Sequence, residues 1–187
     1  KGLNVTIPYK EEIIPFLDSL DADAEKIGAV NTIKISEEGK LTGYNTDHFG
    51  FQKSLEAFLP LQQKTALILG TGGASKAVAY ALHKLGFEFK FVSRKKTPAG
   101  LLYSEMDKST IENHPLIINC TPLGTFPNIA DCPPLPYQFL TKNHLLFDLI
   151  YNPAETEFLK RGKIQGAQTT NGLKMLELQA EKAWEIW

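Results

Sequence analysis

The chain has 187 residues, 43% of them hydrophobic and 22% charged, with a formal net charge of -1. That length allows one or two domains with a sizeable core, and the near-neutral balance supplies no bulk attraction to nucleic acid or to an anionic membrane. No apolar run approaches the length of a bilayer-spanning helix, and Cys120 and Cys132 offer neither a metal spacing nor a disulfide framework, so a cytoplasmic setting is expected.

Gly2-Leu3-Asn4-Val5-Thr6-Ile7 reads as a strand already under way at Lys1, so the expectation is of a longer chain whose N-terminal part is missing here. The strand spans Leu3–Ile7, and Pro8 suits the first turn of a helix running to Leu17. A second helix is expected over Asp21–Ile27. Ala29–Ile35 and Lys40–Asn45 read as two strands joined by the turn Ser36–Gly39. An amphipathic helix follows from His48 to Leu59, with Phe51, Leu55 and Phe58 on one face, and Pro60 ends it. The polar Gln62-Gln63-Lys64 reads as the start of a second domain.

Strand and helix alternate from there. Leu67, Ile68 and Leu69 suit a buried parallel strand, Gly70–Gly73 turn the chain, and Ala74–Leu85 reads as a helix. Further strands are expected at Phe87–Ser93, Leu116–Asn119, Leu145–Leu149 and Gly166–Thr170, with helical stretches at Ser109–Asn113 and Ala154–Arg161. This is the pattern of an α/β fold, a Rossmann-type doubly wound parallel sheet. The last segment, Gly172–Trp187, reads as one amphipathic helix that packs back on the first fifty residues and closes a split domain.

Strand, glycine turn and helix together give the run Gly70-Thr71-Gly72-Gly73-Ala74-Ser75 a dinucleotide-binding sense. Gly70 takes the tight turn, Gly72 lets backbone approach a pyrophosphate, and the helix start offers N–H groups to phosphate oxygens. Ser75 stands where Gly or Ala is usual. An NAD site expects an acidic residue at the end of the second strand, but here Ser93 is followed by Arg94, Lys95 and Lys96. A carboxylate repels a 2′-phosphate and an arginine grips it, so NADP is favoured.

A nucleotide fold does not name a substrate. Three polar clusters at predicted strand ends do more: Asn4-Val5-Thr6-Ile7-Pro8-Tyr9-Lys10, Gly28-Ala29-Val30-Asn31-Thr32 and Gly43-Tyr44-Asn45-Thr46-Asp47. Lys10 and Asp47 read either as an ion pair able to move a proton or as a surface lysine and a helix N-cap. The scattered histidines suggest no metal site.

These clusters and the glycine turn resemble the shikimate dehydrogenase family. Asn119-Cys120-Thr121-Pro122-Leu123-Gly124, Asp148-Leu149-Ile150-Tyr151-Asn152-Pro153 and Asn171-Gly172-Leu173-Lys174-Met175-Leu176, with Gln179-Ala180, continue the likeness in the same order over essentially the whole chain. The resemblance implies NADPH-dependent reduction of 3-dehydroshikimate to shikimate, in aromatic amino-acid biosynthesis. It implies that Lys10 and Asp47 are catalytic and that Thr6, Asn31, Tyr151 and Gln179 meet the substrate. It also implies cofactor contacts from Gly70, Thr71, Gly72, Gly73, Ala74, Ser75, Ser93, Arg94 and Thr121, with Ile150, Gly172 and Met175 beside the nicotinamide. Residues 1–47 and 172–187 form a substrate domain, and 48–171 a nucleotide domain with a linking helix at 48–59. The expected partners are small molecules, with neither nucleic acid nor membrane, in a monomer or homodimer.

Two features depart from the family. Its Ser-x-Ser pair for the substrate carboxylate has no place before Lys1, so weak hold on shikimate is expected of this chain. The crossover after Arg94 is also short, since Lys95–Gly100 leads almost directly to Leu101-Leu102-Tyr103. The alternatives are a quinate/shikimate dehydrogenase using NAD, which the basic run opposes, and a non-catalytic metabolite sensor, which Lys10 and Asp47 oppose.

Overall fold

The computed structural model describes every residue except 62 and 99. The domain start at Gln62 and the crossover residue Ala99 therefore lie outside the described residues. In chain order the first elements are β1 (Gly2–Asn4), β2 (Ser19–Leu20), α1 (Ala22–Ile27), β3 (Thr32–Ile35), β4 (Leu41–Tyr44) and α2 (Asp47–Glu56). Then come β5 (Thr65–Leu69), α3 (Gly73–Lys84), β6 (Glu88–Ser93), β7 (Leu101–Leu102), α4 (Lys108–Glu112) and β8 (Leu116–Asn119). The chain closes with β9 (Leu145–Asp148), α5 (Glu157–Ile164), β10 (Gln168–Thr170) and α6 (Leu173–Ile186). Packing divides them into two units: Lys1–Ala57 with Gly73–Lys84 and Lys174–Trp187, and Phe58–Gly72 with Leu85–Leu173.

The first unit holds a four-stranded mixed sheet in the order β1-β3-β4-β2. β3 and β4 form the expected hairpin, with Ile33 opposite Gly43. Ala24, Val30 and Ile33 form the buried core beneath it, with Ile13, Ile14 and Leu17 packed alongside. α1 begins where Asp21 accepts hydrogen bonds from the Asp23 and Ala24 N–H groups, and ends at Gly28 in the left-handed region.

The helix expected over Pro8–Leu17 is instead a series of turns closing in a single 3-10 turn at Ile14–Phe16. Pro15 lies inside that span; it has no N–H, and its ring collides with the carbonyl four residues back, so a continuous α-helix is blocked. The segment is pinned by other bonds. The Val5 N–H donates to the Asn31 carbonyl at 2.8 Å, and the Val30 N–H donates to the Lys10 carbonyl at 2.7 Å. These bonds hold Lys10 against the start of β3. The strand expected to reach Ile7 stops at Asn4, because the chain turns at Thr6, whose carbonyl accepts the Tyr9 N–H.

The second unit is a six-stranded parallel sheet ordered β10-β9-β8-β5-β6-β7. Ala66–Leu69, Leu116–Asn119 and Leu145–Asp148 are buried throughout, as strands covered on both faces require. Their core includes Leu67, Leu69, Val92, Ile117, Leu146 and Phe158. The chain runs outward from β5 through β6 and β7, then returns to β8 on the other side of β5. The order therefore reverses between β5 and β8, and such a reversal opens a ligand crevice at the carboxyl ends of the strands. α5 starts three residues later than expected because Thr156, not the segment before it, caps the helix by accepting the Leu159 N–H. β2 and β7 are two-residue strands without a sequence pattern of their own.

The packing units differ from the division expected from the sequence chiefly in two helices. α2 and α3 fall in the first unit, because they pack on each other and α3 also packs on α1.

Candidate active site

In the first unit Lys10 and Asp47 meet. The Lys10 Nζ lies 2.5 Å from Asp47 Oδ2, and the two side chains are only 14% and 8% exposed. Asp47 is the first residue of α2, where the helix dipole favours a negative charge. It is not the N-cap; Thr46 holds that place. Lys10 is correspondingly not a free surface lysine.

Asn31 organises the rest. Its buried amide donates to Asp47 Oδ1 and to Thr46 Oγ1, both at 2.9 Å, with Gln179 Oε1 at 3.2 Å. Its Oδ1 accepts the Thr46 N–H at 2.7 Å, which supplies a partner to one of the open N–H groups at the start of α2. Asn45 fixes the turn by donating to the Ala29 carbonyl at 2.9 Å. Three distant stretches of sequence are thus joined in one hydrogen-bonded set.

Gln179 reaches this set from α6. A Cβ placed on Gly50 of α2 would lie 2.5 Å from the Met175 carbonyl oxygen, so only glycine admits the approach of α6. Met175 and Ala183, one turn to either side of Gln179, are buried as the helical spacing predicts. Thr6 is exposed at the turn that precedes Lys10. α3 begins beside the same lysine, because a Cβ on Gly73 would lie 3.2 Å from Lys10 Cβ. Ala74 is half-buried and Ser75 fully buried in the first turn of α3.

His48, next to Asp47, turns the other way. Its Nε2 stands 3.4 Å from Asp23 Oδ2, and its ring packs edge-on to Tyr80. Burial pushes its pKa below the ordinary histidine value.

In the second unit the glycine turn lies at the β5–β8 reversal. Gly70 has φ +104°, and a Cβ there would lie 3.2 Å from Thr121 Cγ2. Thr71 is exposed, and beyond the chain neighbours no atom lies within 4 Å of where a Gly72 Cβ would sit. Open space beside Gly72 fits backbone approach by a pyrophosphate. At the end of β6, Ser93 Oγ donates to the Lys95 carbonyl and holds the turn. Arg94 is exposed and has no ion pair among the described residues.

A network absent from the sequence reading ties the neighbouring loops. Asp148 Oδ1 accepts from Asn119 Nδ2 and the Ile150 N–H, both at 3.0 Å, and Oδ2 accepts from Thr156 Oγ1 at 2.5 Å. Asn119 Oδ1 in turn accepts the Thr121 hydroxyl at 2.7 Å. Burial raises the Asp148 carboxyl to about 6, against the opposing pull of these hydrogen bonds. Burial also raises the Cys120 thiol well above its usual value. The sequence carries half of the signal, since Asn119 and Asp148 end wholly apolar strands; that they are register partners is seen only in the structure. Gly172 is buried, and its N–H donates to the Ile150 carbonyl at 3.0 Å; Ile150 is buried too. Tyr151 is 49% exposed.

Residues 1–33 match the family model of the shikimate dehydrogenase substrate binding domain. The NADP(+) shikimate dehydrogenase of Methanococcus maripaludis is 43% identical over 204 residues, which take in all of this chain and 72% of the relative. The chain belongs to the shikimate dehydrogenase family. Among solved structures, the shikimate dehydrogenase of Aquifex aeolicus superposes with a TM-score of 0.88 at 40% identity, over 100% of this chain and 71% of that one. The shikimate 5-dehydrogenase of Thermus thermophilus, solved with NADP(H) and shikimate, gives 0.87 at 34% identity, over 100% and 72%. The two-domain Rossmann-type fold of this shikimate dehydrogenase family is therefore that of the present chain. No group of three or more His, Cys, Asp or Glu is placed to hold a metal among the described residues. No helix among them is long and apolar enough to cross a membrane.

Proposed function

We propose that this chain catalyses the reversible NADPH-dependent reduction of 3-dehydroshikimate to shikimate. Its family is one of NADP-dependent oxidoreductases. The observation that carries the reading is the enclosed Lys10–Asp47 pair at 2.5 Å, set among the Asn31, Thr46 and Gln179 polar groups. When bound, reduced nicotinamide supplies a hydride to the substrate carbonyl carbon. Lys10 Nζ then gives a proton to the carbonyl oxygen as it gains charge, and in the reverse direction it receives one. Asp47 holds the lysine in place and balances its charge, while Asn31 fixes Asp47 through the second carboxylate oxygen. Thr6, Asn31 and Gln179, together with Tyr151 of the second unit, are assigned to substrate hydroxyls and carboxylate.

The nucleotide groups are Gly70 through Ser75, Ser93, Arg94 and Thr121, with Ile150, Gly172 and Met175 assigned to the nicotinamide. The open space beside Gly72 and an exposed Arg94 without an ion pair among the described residues support that assignment, and Arg94 favours NADP over NAD. A cytoplasmic monomer or homodimer acting on small molecules belongs to the same reading.

The test is loss of NADPH absorbance on adding 3-dehydroshikimate to the purified protein. Lys10→Ala is expected to lower kcat by roughly 10²–10⁴ while the NADPH dissociation constant stays put. A variant with near-normal kcat removes Lys10 from proton transfer.

A further inference from the structure

The short crossover after β6 places a carboxylate among the cations at the end of that strand. Lys96 Nζ lies 2.6 and 2.8 Å from the two oxygens of Glu105. Glu105 is itself anchored, because it accepts the Leu102 N–H at 2.7 Å as the third residue of the 3-10 turn Tyr103–Glu105. The register sets Ser93 opposite Leu102, so Glu105 stands near the same carboxyl ends of β6 and β7 as Arg94. Arg94 and Lys95 are exposed and carry no ion pair among the described residues, whereas Lys96, though itself exposed, is paired with Glu105.

We propose that Glu105 is a specificity-determining residue that limits the preference for a 2′-phosphorylated dinucleotide, by holding Lys96 in an internal ion pair and leaving only Arg94 and Lys95 to meet the phosphate. The inference rests on the NADP site read above, because the adenosine ribose of a doubly wound fold lies at the end of the second strand. Two effects act in one direction. The carboxylate neutralises one of three cations, and it adds a negative charge beside a dianionic phosphate. The 2′-hydroxyl of NAD is neutral and feels neither. Glu105 also keeps its backbone bond as glutamine, so the exchange alters charge rather than the turn.

The test is a double-mutant cycle on the full chain, with wild type, Glu105→Gln, Lys96→Gln and the double variant titrated with NADPH and NADH by fluorescence. Glu105→Gln is expected to tighten NADPH by about three- to tenfold and to leave NADH within about twofold, with the gain shrinking as salt rises. Lys96→Gln alone leaves the Glu105 carboxylate without its counter-charge and should weaken NADPH by a comparable factor, again with NADH within about twofold. In the double variant the gain should vanish. An unchanged or lowered NADPH-to-NADH preference in Glu105→Gln overturns the proposal, and so does a double variant that still binds NADPH more tightly than wild type. A wild type that binds neither nucleotide is a different result and overturns the nucleotide site itself.

Discussion

Replacing Asn31 with alanine removes the group on which the first unit's polar cluster depends. The side chain is 4% exposed, so water does not stand in for what is lost. The Thr46 N–H loses its 2.7 Å acceptor, and Asp47 Oδ1 loses a 2.9 Å donor. A buried N–H left without an acceptor costs about 1–3 kcal/mol, and a lost hydrogen bond to a charged group about 1.5–3 kcal/mol. The Thr46 and Gln179 oxygens add little, because a single amide cannot fully serve three acceptors. The sum is a destabilisation of about 3–5 kcal/mol, a large share of the stability of an ordinary domain. Urea unfolding followed by tryptophan fluorescence reads it directly, since both tryptophans, Trp184 and Trp187, lie in the first unit. Trp187 Nε1 donates to the Ile33 carbonyl at 3.1 Å, so its signal follows β3, which Asn31 immediately precedes. Lys34→Ala, an exposed change on β3 just beyond Asn31, serves as control and should stay within about 0.5 kcal/mol. A loss below about 1 kcal/mol for Asn31→Ala would refute the reasoning.

The two glycines of the nucleotide turn are expected to separate stability from binding. Gly70→Ala meets both a φ of +104° and Thr121, and should cost about 1–3 kcal/mol, whereas Gly72→Ala meets no neighbour and should leave stability alone while weakening NADPH by about tenfold or more. Equal NADPH affinity in Gly72→Ala would show that the pyrophosphate does not lie against that residue. The Asp148 carboxyl, raised to about 6, gives a pH signature. A raised carboxyl holds its proton more tightly in the folded chain than in the unfolded one. The native state therefore gains stability as pH falls from about 6 toward 4 and loses that gain as pH rises again, by about 3 kcal/mol for a shift of about two units. Asp148→Asn keeps an acceptor for Asn119 and Ile150 but no longer titrates, so in urea unfolding by circular dichroism the stability at pH 4.5 relative to pH 7.5 should be lower in the variant than in wild type by about 2–3 kcal/mol. Identical differences would place the titration elsewhere.

Local order was readable in the residues alone. The strand–glycine–helix unit at 65–84, the hairpin of β3 and β4 and the amphipathic α6 each follow from side-chain periodicity and from residues that set backbone angles over a few positions. The same rules explain why Pro8–Leu17 is no helix: its apolar spacing is helical, but Pro15 interrupts the backbone ladder. The identities of Lys10, Asn31, Asp47 and Gln179 were legible too, but as scattered motifs with a bland reading beside each. Only the tertiary structure joined them. Lys10 and Asp47 are 37 positions apart, and Asn31 and Gln179 are 148 apart. No period or propensity acts over such distances; which side chains meet depends on how strands pair and how closely helices pack. The Asp148 network was likewise decided by register, since two polar residues at the ends of apolar strands become partners only when β8 and β9 align. A sequence states which groups are available at each position, and the folded chain decides which of them lose water together.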